Sequence, residues 1–294
     1  MRSGWLGILE TVEKAEVKQE VRQTVRRAAP GIEALARAGY FAKGTVYVLM
    51  GLFAGRAALE TGHSAGEGDP KSALERVGEQ PFGQVILGLL ALGLAGYALW
   101  HLVRALVDPE HHKPNLKGWA KRVGYAISAG AHLSLAWFAL TYALRGYAVR
   151  GGNSEEGWTA RVLQVEAGGW IVALAGVGIL ALALNQFYLA WRKAFLRRLH
   201  FGQLPEPLCR LLTCLGQIGF AARGVVLGVI GGFLLEAAWT DNPQRAGGIA
   251  DALVMLESRP AGPWLLGLVA LGLLAYGLFV VAQARYRVIP LEQA

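Results

Sequence analysis

The sequence predicts an all-α integral membrane protein of six transmembrane helices, built as three tandem copies of one two-helix unit. Three observations predict it: apolar runs long enough to cross a bilayer, Lys and Arg concentrated in alternate loops, and a motif that recurs along the chain. Of 294 residues, 54% are hydrophobic and 17% charged, too apolar a balance for an ordinary soluble domain of this size.

Residues 1–36 form the first element. Trp5, Ile8, Leu9 and Val12 recur at helical spacing between Glu10, Glu13, Lys14 and Glu16, which predicts a cytoplasmic amphipathic extension, lying on the membrane or free in solution. It lacks the apolar core and small-residue cleavage site of a signal peptide and is expected to be retained. Six apolar runs follow, near 38–59, 82–104, 123–144, 168–191, 216–238 and 262–284. A backbone in lipid must satisfy its own hydrogen bonds, so each run is expected to be a helix.

Outside these runs, the amino terminus, loops two and four and the carboxyl terminus hold 18 Lys and Arg, and the three other loops hold 7. The positive-inside rule therefore places both termini in the cytoplasm. The net charge of +8 is that topology signal, and no nucleic-acid partner is expected. Trp100, Trp158, Trp170, Trp191, Trp239 and Trp264 lie near span ends and read as interface anchors. Cys209 and Cys214, five residues apart with no CxxC, read as inert thiols.

The internal repeat assigns residues 37–104 to copy one, 122–192 to copy two and 216–287 to copy three. Arg37-Ala38-Gly39-Tyr40-Phe41-Ala42-Lys43-Gly44 parallels Gln217-Ile218-Gly219-Phe220-Ala221-Ala222-Arg223-Gly224, and Arg122-Val123-Gly124-Tyr125-Ala126 opens the third span alike. Residues 73–104 match 252–283 at 13 of 32 positions without a gap, including Pro81 with Pro260 and Tyr97 with Tyr276. Copy two keeps Gly168 but lacks the proline and the tyrosine, and has Ser128-Ala129 where the others have a basic residue and glycine. Units of two spans enter the membrane in one direction, so the copies are parallel repeats, most simply a pseudo-threefold bundle. Short amphipathic stretches at 73–77, 161–163 and 252–256 predict three helices on the outer face.

These motifs, the Arg-x-Gly-Tyr/Phe-x-Ala-Lys/Arg-Gly opening, the Ala-Leu connection and the Pro-x-Gly start of the even helix, resemble the bacterial membrane family catalogued as domain of unknown function 1206. The resemblance covers about residues 36–287. It implies three helix pairs in the bacterial cytoplasmic membrane and brings no activity with it.

Gly224, Gly228 and Gly232 on span five and Gly51 and Gly55 on span one have the spacing of helix-packing glycines. Lys43, Arg223, Tyr47 and His132 are candidates to face the bundle axis, where the cations would meet a small anion or anionic lipid headgroups, or else snorkel as anchors. Arg37 and Arg122 form a second equivalent basic pair. Arg56 and Glu236 stand at one depth in copies one and three and are expected to form an ion pair. His111 and His112 are metal-capable but lack a third ligand. No cofactor or metal is expected, nor a catalytic motif such as a P-loop, GxSxG or HExxH in a supporting context. The leading functional reading is a structural or interaction module of the membrane. The alternatives are a small channel or transporter along the axis and, last, an intramembrane enzyme.

Overall fold

A computed structural model describes residues 29–60, 64–108, 115–147, 155–199 and 204–288. Residues 1–28 of the amphipathic extension and the His111-His112 pair lie outside the described residues, and residues 29–36 of the extension begin the first long helix. The helices are α1 (Ala29–Leu59), α2 (Pro70–Gly78), α3 (Gly83–Leu106), α4 (Leu116–Arg145), α5 (Glu155–Leu163), α6 (Gly168–Arg192), α7 (Glu206–Thr240), α8 (Ile249–Glu257) and α9 (Gly262–Tyr286). Among the described residues the sole β pairing is an isolated bridge between Leu199 and Arg287.

The odd helices α1, α4 and α7 start seven to ten residues before their apolar runs. Ion pairs one turn apart hold two of these added segments: Arg37 to Glu33 at 2.7 Å and Arg210 to Glu206 at 2.5 Å. In α4 the Asn115 side chain caps the Gly118 amide instead, at 2.9 Å. The short connectors are capped as well. Asp69 accepts from the Lys71 amide at 2.7 Å to start α2, and Asp251 accepts from the Gly248 amide at 2.8 Å to start α8. These connectors bury Ala73, Leu74, Ala252 and Leu253 against the long helices, so their apolar faces are occupied by protein.

Five helices, α3, α4, α6, α7 and α9, are long and apolar enough to cross a membrane. α1 is long enough but less apolar, because Tyr40, Lys43, Tyr47 and Arg56 interrupt its run. Its position explains how it tolerates them: α1 packs on both α9 and α3, with Tyr40 and Lys43 buried in the bundle.

Each even helix packs against the odd helix of another copy: α3 against α4, α6 against α7 and α9 against α1. Within copies one and three the two long helices also pack together, α1 with α3 and α7 with α9, whereas α4 and α6 scarcely touch. Two buried clusters form the core. One, toward the connectors, contains Val46, Met50, Leu74, Leu87, Leu253 and Leu266. The other, toward the termini, is aromatic: Tyr40, Trp100, Phe195, Phe220 and Phe279.

Glycines set the closest approaches. A Cβ on Gly39 would lie 2.5 Å from the Tyr97 amide nitrogen, and one on Gly219 would lie 2.5 Å from the Tyr276 Cα, the same contact in copies one and three. Gly83, Gly168 and Gly262 each abut the last carbonyls of the preceding connector so closely that no side chain fits. Gly51 meets the backbone of α9 at Leu274, while Gly55 has only an ordinary contact with Ala270. On α7, Gly224 lies under the Phe187 ring, but Gly228 and Gly232 face open space; the tight α6–α7 contact runs through Gly176 and Gly231. The GxxxG spacing therefore points to the right helix but to the wrong face beyond Gly224. Trp158, Trp170, Trp191, Trp239 and Trp264 are exposed, whereas Trp100 is no interface anchor but is buried in the aromatic cluster.

Candidate functional site

Lys43 projects from the middle of α1 into the bundle and donates to the Tyr97 hydroxyl of α3 at 2.8 Å. Arg223, its counterpart on α7, donates to the Tyr276 hydroxyl of α9, also at 2.8 Å. The two pairs adjoin. Lys43 Nζ lies 4.5 Å from the Tyr97 ring centre and 6.0 Å from that of Tyr276, and Arg223 Cζ lies 4.5 Å from Tyr276 and 5.4 Å from Tyr47. Tyr47 meets Tyr276 edge to face at 4.8 Å. Both cations thus rest on hydroxyls and ring faces, which stabilise a positive charge without neutralising it.

Tyr97 is fourteen residues from the Gly83 end of α3 and nine from its Leu106 end, about 21 Å and about 14 Å along the axis. The pairs therefore sit deep in the helical layer, where an ionised side chain is costly unless compensated. Lys43 is buried and Arg223 partly buried, and no described carboxylate pairs with either.

His132 enters the same cluster from α4. Its Nδ1 lies 2.8 Å from the Ser128 carbonyl one turn back, and its ring is 4.5 Å from Tyr97. His101, not singled out from the sequence, lies 4.3 Å from Tyr97 and 6.4 Å from His132, buried with neither ring nitrogen hydrogen-bonded. Beyond it, buried Arg104 donates to Tyr125. Lys43, Arg223, Tyr47 and His132 are thus brought together, and Tyr97, Tyr276 and His101 complete the group.

A cavity of about 370 Å³ adjoins it. Lys43, Tyr47 and His132 line its deep end, and its walls include Val46, Leu94 and Leu135. Asp69, Lys71 and Asp251 line the end formed by the starts of α2 and α8. Past the tyrosines toward the chain termini, Phe195, Phe220 and Phe279 pack ring on ring at 5.1–5.9 Å. Among the described residues no group of three His, Cys, Asp or Glu is arranged to hold a metal.

The other pairs have different roles. Arg56 pairs with Glu60 at 2.8 Å and Glu236 with Arg245 at 3.1 Å, so the expected Arg56–Glu236 bridge is replaced by two local ones. Each basic group found a carboxylate on its own exposed segment, with no need to reach across the bundle. Arg37 donates to the Ala284 and Arg285 carbonyls at 2.9 and 2.8 Å, and Arg122 to those of Ala105 and Leu106 at 2.7 and 3.1 Å. Gln217, at the equivalent position in copy three, donates to the Ala190 carbonyl at 3.1 Å. All three cap the last turn of an even helix from a different copy, where the carbonyls lack helical partners.

Comparison with known proteins agrees with this threefold division. The family described as Domain of Unknown Function (DUF1206) matches residues 38–108, 123–193 and 218–287. An uncharacterized protein of Bacillus subtilis (strain 168), YxxB, is 32% identical over 274 residues, covering 93% of this chain and 95% of its own. No solved structure matches. The chain therefore belongs to the DUF1206 family, with three tandem copies of its unit.

Proposed function

We propose that the chain is a six-span protein of the bacterial cytoplasmic membrane, with both termini in the cytoplasm, whose central cavity binds an anion. The observation that carries this reading is the pair Lys43 and Arg223: two adjoining cations deep in the helical layer, held by tyrosines and without a paired carboxylate among the described residues, of which Lys43 lines a cavity. An anion bound in the cavity meets Lys43 where no described carboxylate does. Six spans are supported by α1, which is 31 residues long and packed between α3 and α9. A pseudo-threefold arrangement is supported by the α3–α4, α6–α7 and α9–α1 pairings and by the equivalent caps of Arg37, Arg122 and Gln217.

On this topology the end of the cavity lined by Asp69, Lys71 and Asp251 lies toward the outer face, and the end lined by Lys43, Tyr47 and His132 lies within the helical layer. That favours a binding site, or one state of a carrier, over a continuous pore. No chemical step is proposed. The test is thermal stabilisation of the purified protein in nanodiscs by a panel of anions, repeated with Lys43→Gln. Stabilisation that disappears in the variant supports the reading. Indifference to every anion returns the protein to the structural or interaction reading, for which the sparse contact between α4 and α6 leaves helix surface available.

A further inference from the structure

We infer that the anion is a short-chain organic monocarboxylate that enters from water, an inference that rests on the anion-binding reading above. The cavity is graded along its length. Its floor carries Lys43, with Tyr47 and His132 beside it; its walls are apolar at Val46, Leu94 and Leu135; its mouth has Asp69, Lys71 and Asp251. Lys43 has three donor protons and commits one to Tyr97, which leaves two without a protein acceptor among the described residues. Two donors on one cation fit the two oxygens of a single carboxylate.

The mouth disfavours multiply charged anions. Asp69 and Asp251 are each engaged in capping a helix through backbone amides, so their charges are fixed at the opening, and with Lys71 counted the opening keeps one net negative charge, which repels a phosphate or dicarboxylate more than a monoanion. The apolar walls separate mouth from floor, and an inorganic ion would leave them uncovered. A ligand with a carboxylate at one end and a hydrocarbon body satisfies floor and walls together. Because the mouth is polar and lies at the helix ends, the acid arrives from the aqueous side, and a cavity of about 370 Å³ limits its length.

The experiment is isothermal titration of the full chain in nanodiscs with acetate, butyrate, hexanoate, octanoate and hexadecanoate, alongside chloride and inorganic phosphate, against protein-free discs. Affinity is expected to rise about fourfold per added methylene until the cavity fills, then to level off or fall before hexadecanoate. Lys43→Gln lowers affinity for every acid by at least tenfold and leaves the chain-length slope intact. Ala131→Phe, which adds bulk to an exposed lining residue, truncates the series at a shorter acid. Tight binding of chloride or phosphate without a chain-length slope overturns this inference and leaves the anion reading standing. A slope that continues to hexadecanoate overturns the aqueous short-chain assignment, and absence of binding by every probe overturns both.

Discussion

The Lys43 ammonium donates to the Tyr97 hydroxyl at 2.8 Å across the α1–α3 interface, and Arg223 repeats the bond to Tyr276 across α7–α9. Copy two has Ser128 and Leu182 at the corresponding positions, so donor and acceptor are lost together. Tyr97→Phe strands a buried donor and is expected to destabilise the protein by about 1–3 kcal/mol. The Lys43→Met, Tyr97→Phe double variant should recover part of that loss, because neither partner remains to be desolvated. Unfolding in detergent micelles, read as a double-mutant cycle, measures the coupling.

Glycine substitutions should separate two classes that share one sequence spacing. Gly39→Ala and Gly219→Ala push a methyl into the backbone of the facing helix and should cost about 1–3 kcal/mol, or more. Gly228→Ala and Gly232→Ala meet open space and should be neutral or gain up to about 1 kcal/mol of helix propensity. Parallel thermal melts of the four variants check this, and a large loss at Gly228 would show that its face is covered in the folded protein.

Phe82 and Ala261 precede α3 and α9 with φ of 62° and 60°, left-handed values that side chains resist, while Ala167 before α6 has φ −100°. The two left-handed residues follow Pro81 and Pro260, and copy two lacks that proline. Phe82→Gly and Ala261→Gly are each expected to relieve about 1 kcal/mol of backbone strain. Ala167→Gly should instead cost about 0.5–1 kcal/mol, since glycine there only adds freedom to the unfolded chain. Equal effects at all three positions would contradict this assignment.

Arg37 and Arg122 each place a guanidinium on two carbonyls at the end of an even helix. Arg122→Ala should destabilise by about 1–3 kcal/mol, because both bonds involve a charged donor. Arg122→Lys should restore less than half, since a single ammonium does not reproduce the fork. Hydrogen exchange at the last turn of α3 should accelerate in the alanine variant and leave the last turn of α6 unchanged.

Arg56 and Glu236 are expected to behave independently. Each pairs with an exposed neighbour, so the Arg56→Gln, Glu236→Gln cycle should give a coupling within about 0.5 kcal/mol of zero.

The places of the six long helices were legible in the sequence because the length of an apolar run follows from bilayer thickness, whereas the starts of α1, α4 and α7 were not, since ion pairs and a cap rather than apolarity hold those first seven to ten residues. The Arg37–Arg122 equivalence was legible as a pattern but not as a role: capping depends on which even helix lies beside each odd one, and that pairing crosses between copies. Depth alone suggested Arg56 with Glu236, yet depth carries no information on azimuth, and nearer partners were available at Glu60 and Arg245. His101 was missed because it lies close to the end of its apolar run, where a polar residue reads as interface. The alignment of Tyr97 with Tyr276 did mark the right place, since two tyrosines at one register of otherwise apolar helices call for hydrogen-bonding partners.

The sparse contact between α4 and α6 has a consequence for how such a molecule diversifies. An assembly of identical chains must accept every substitution in all its subunits at once. Here the copies are joined in one polypeptide, so copy two could shed its basic residue, its tyrosine and its proline while the flanking copies kept theirs. Tandem duplication thus allows one copy to give up the contact between its own two long helices while the flanking copies keep theirs, an asymmetry unavailable to a homo-oligomer.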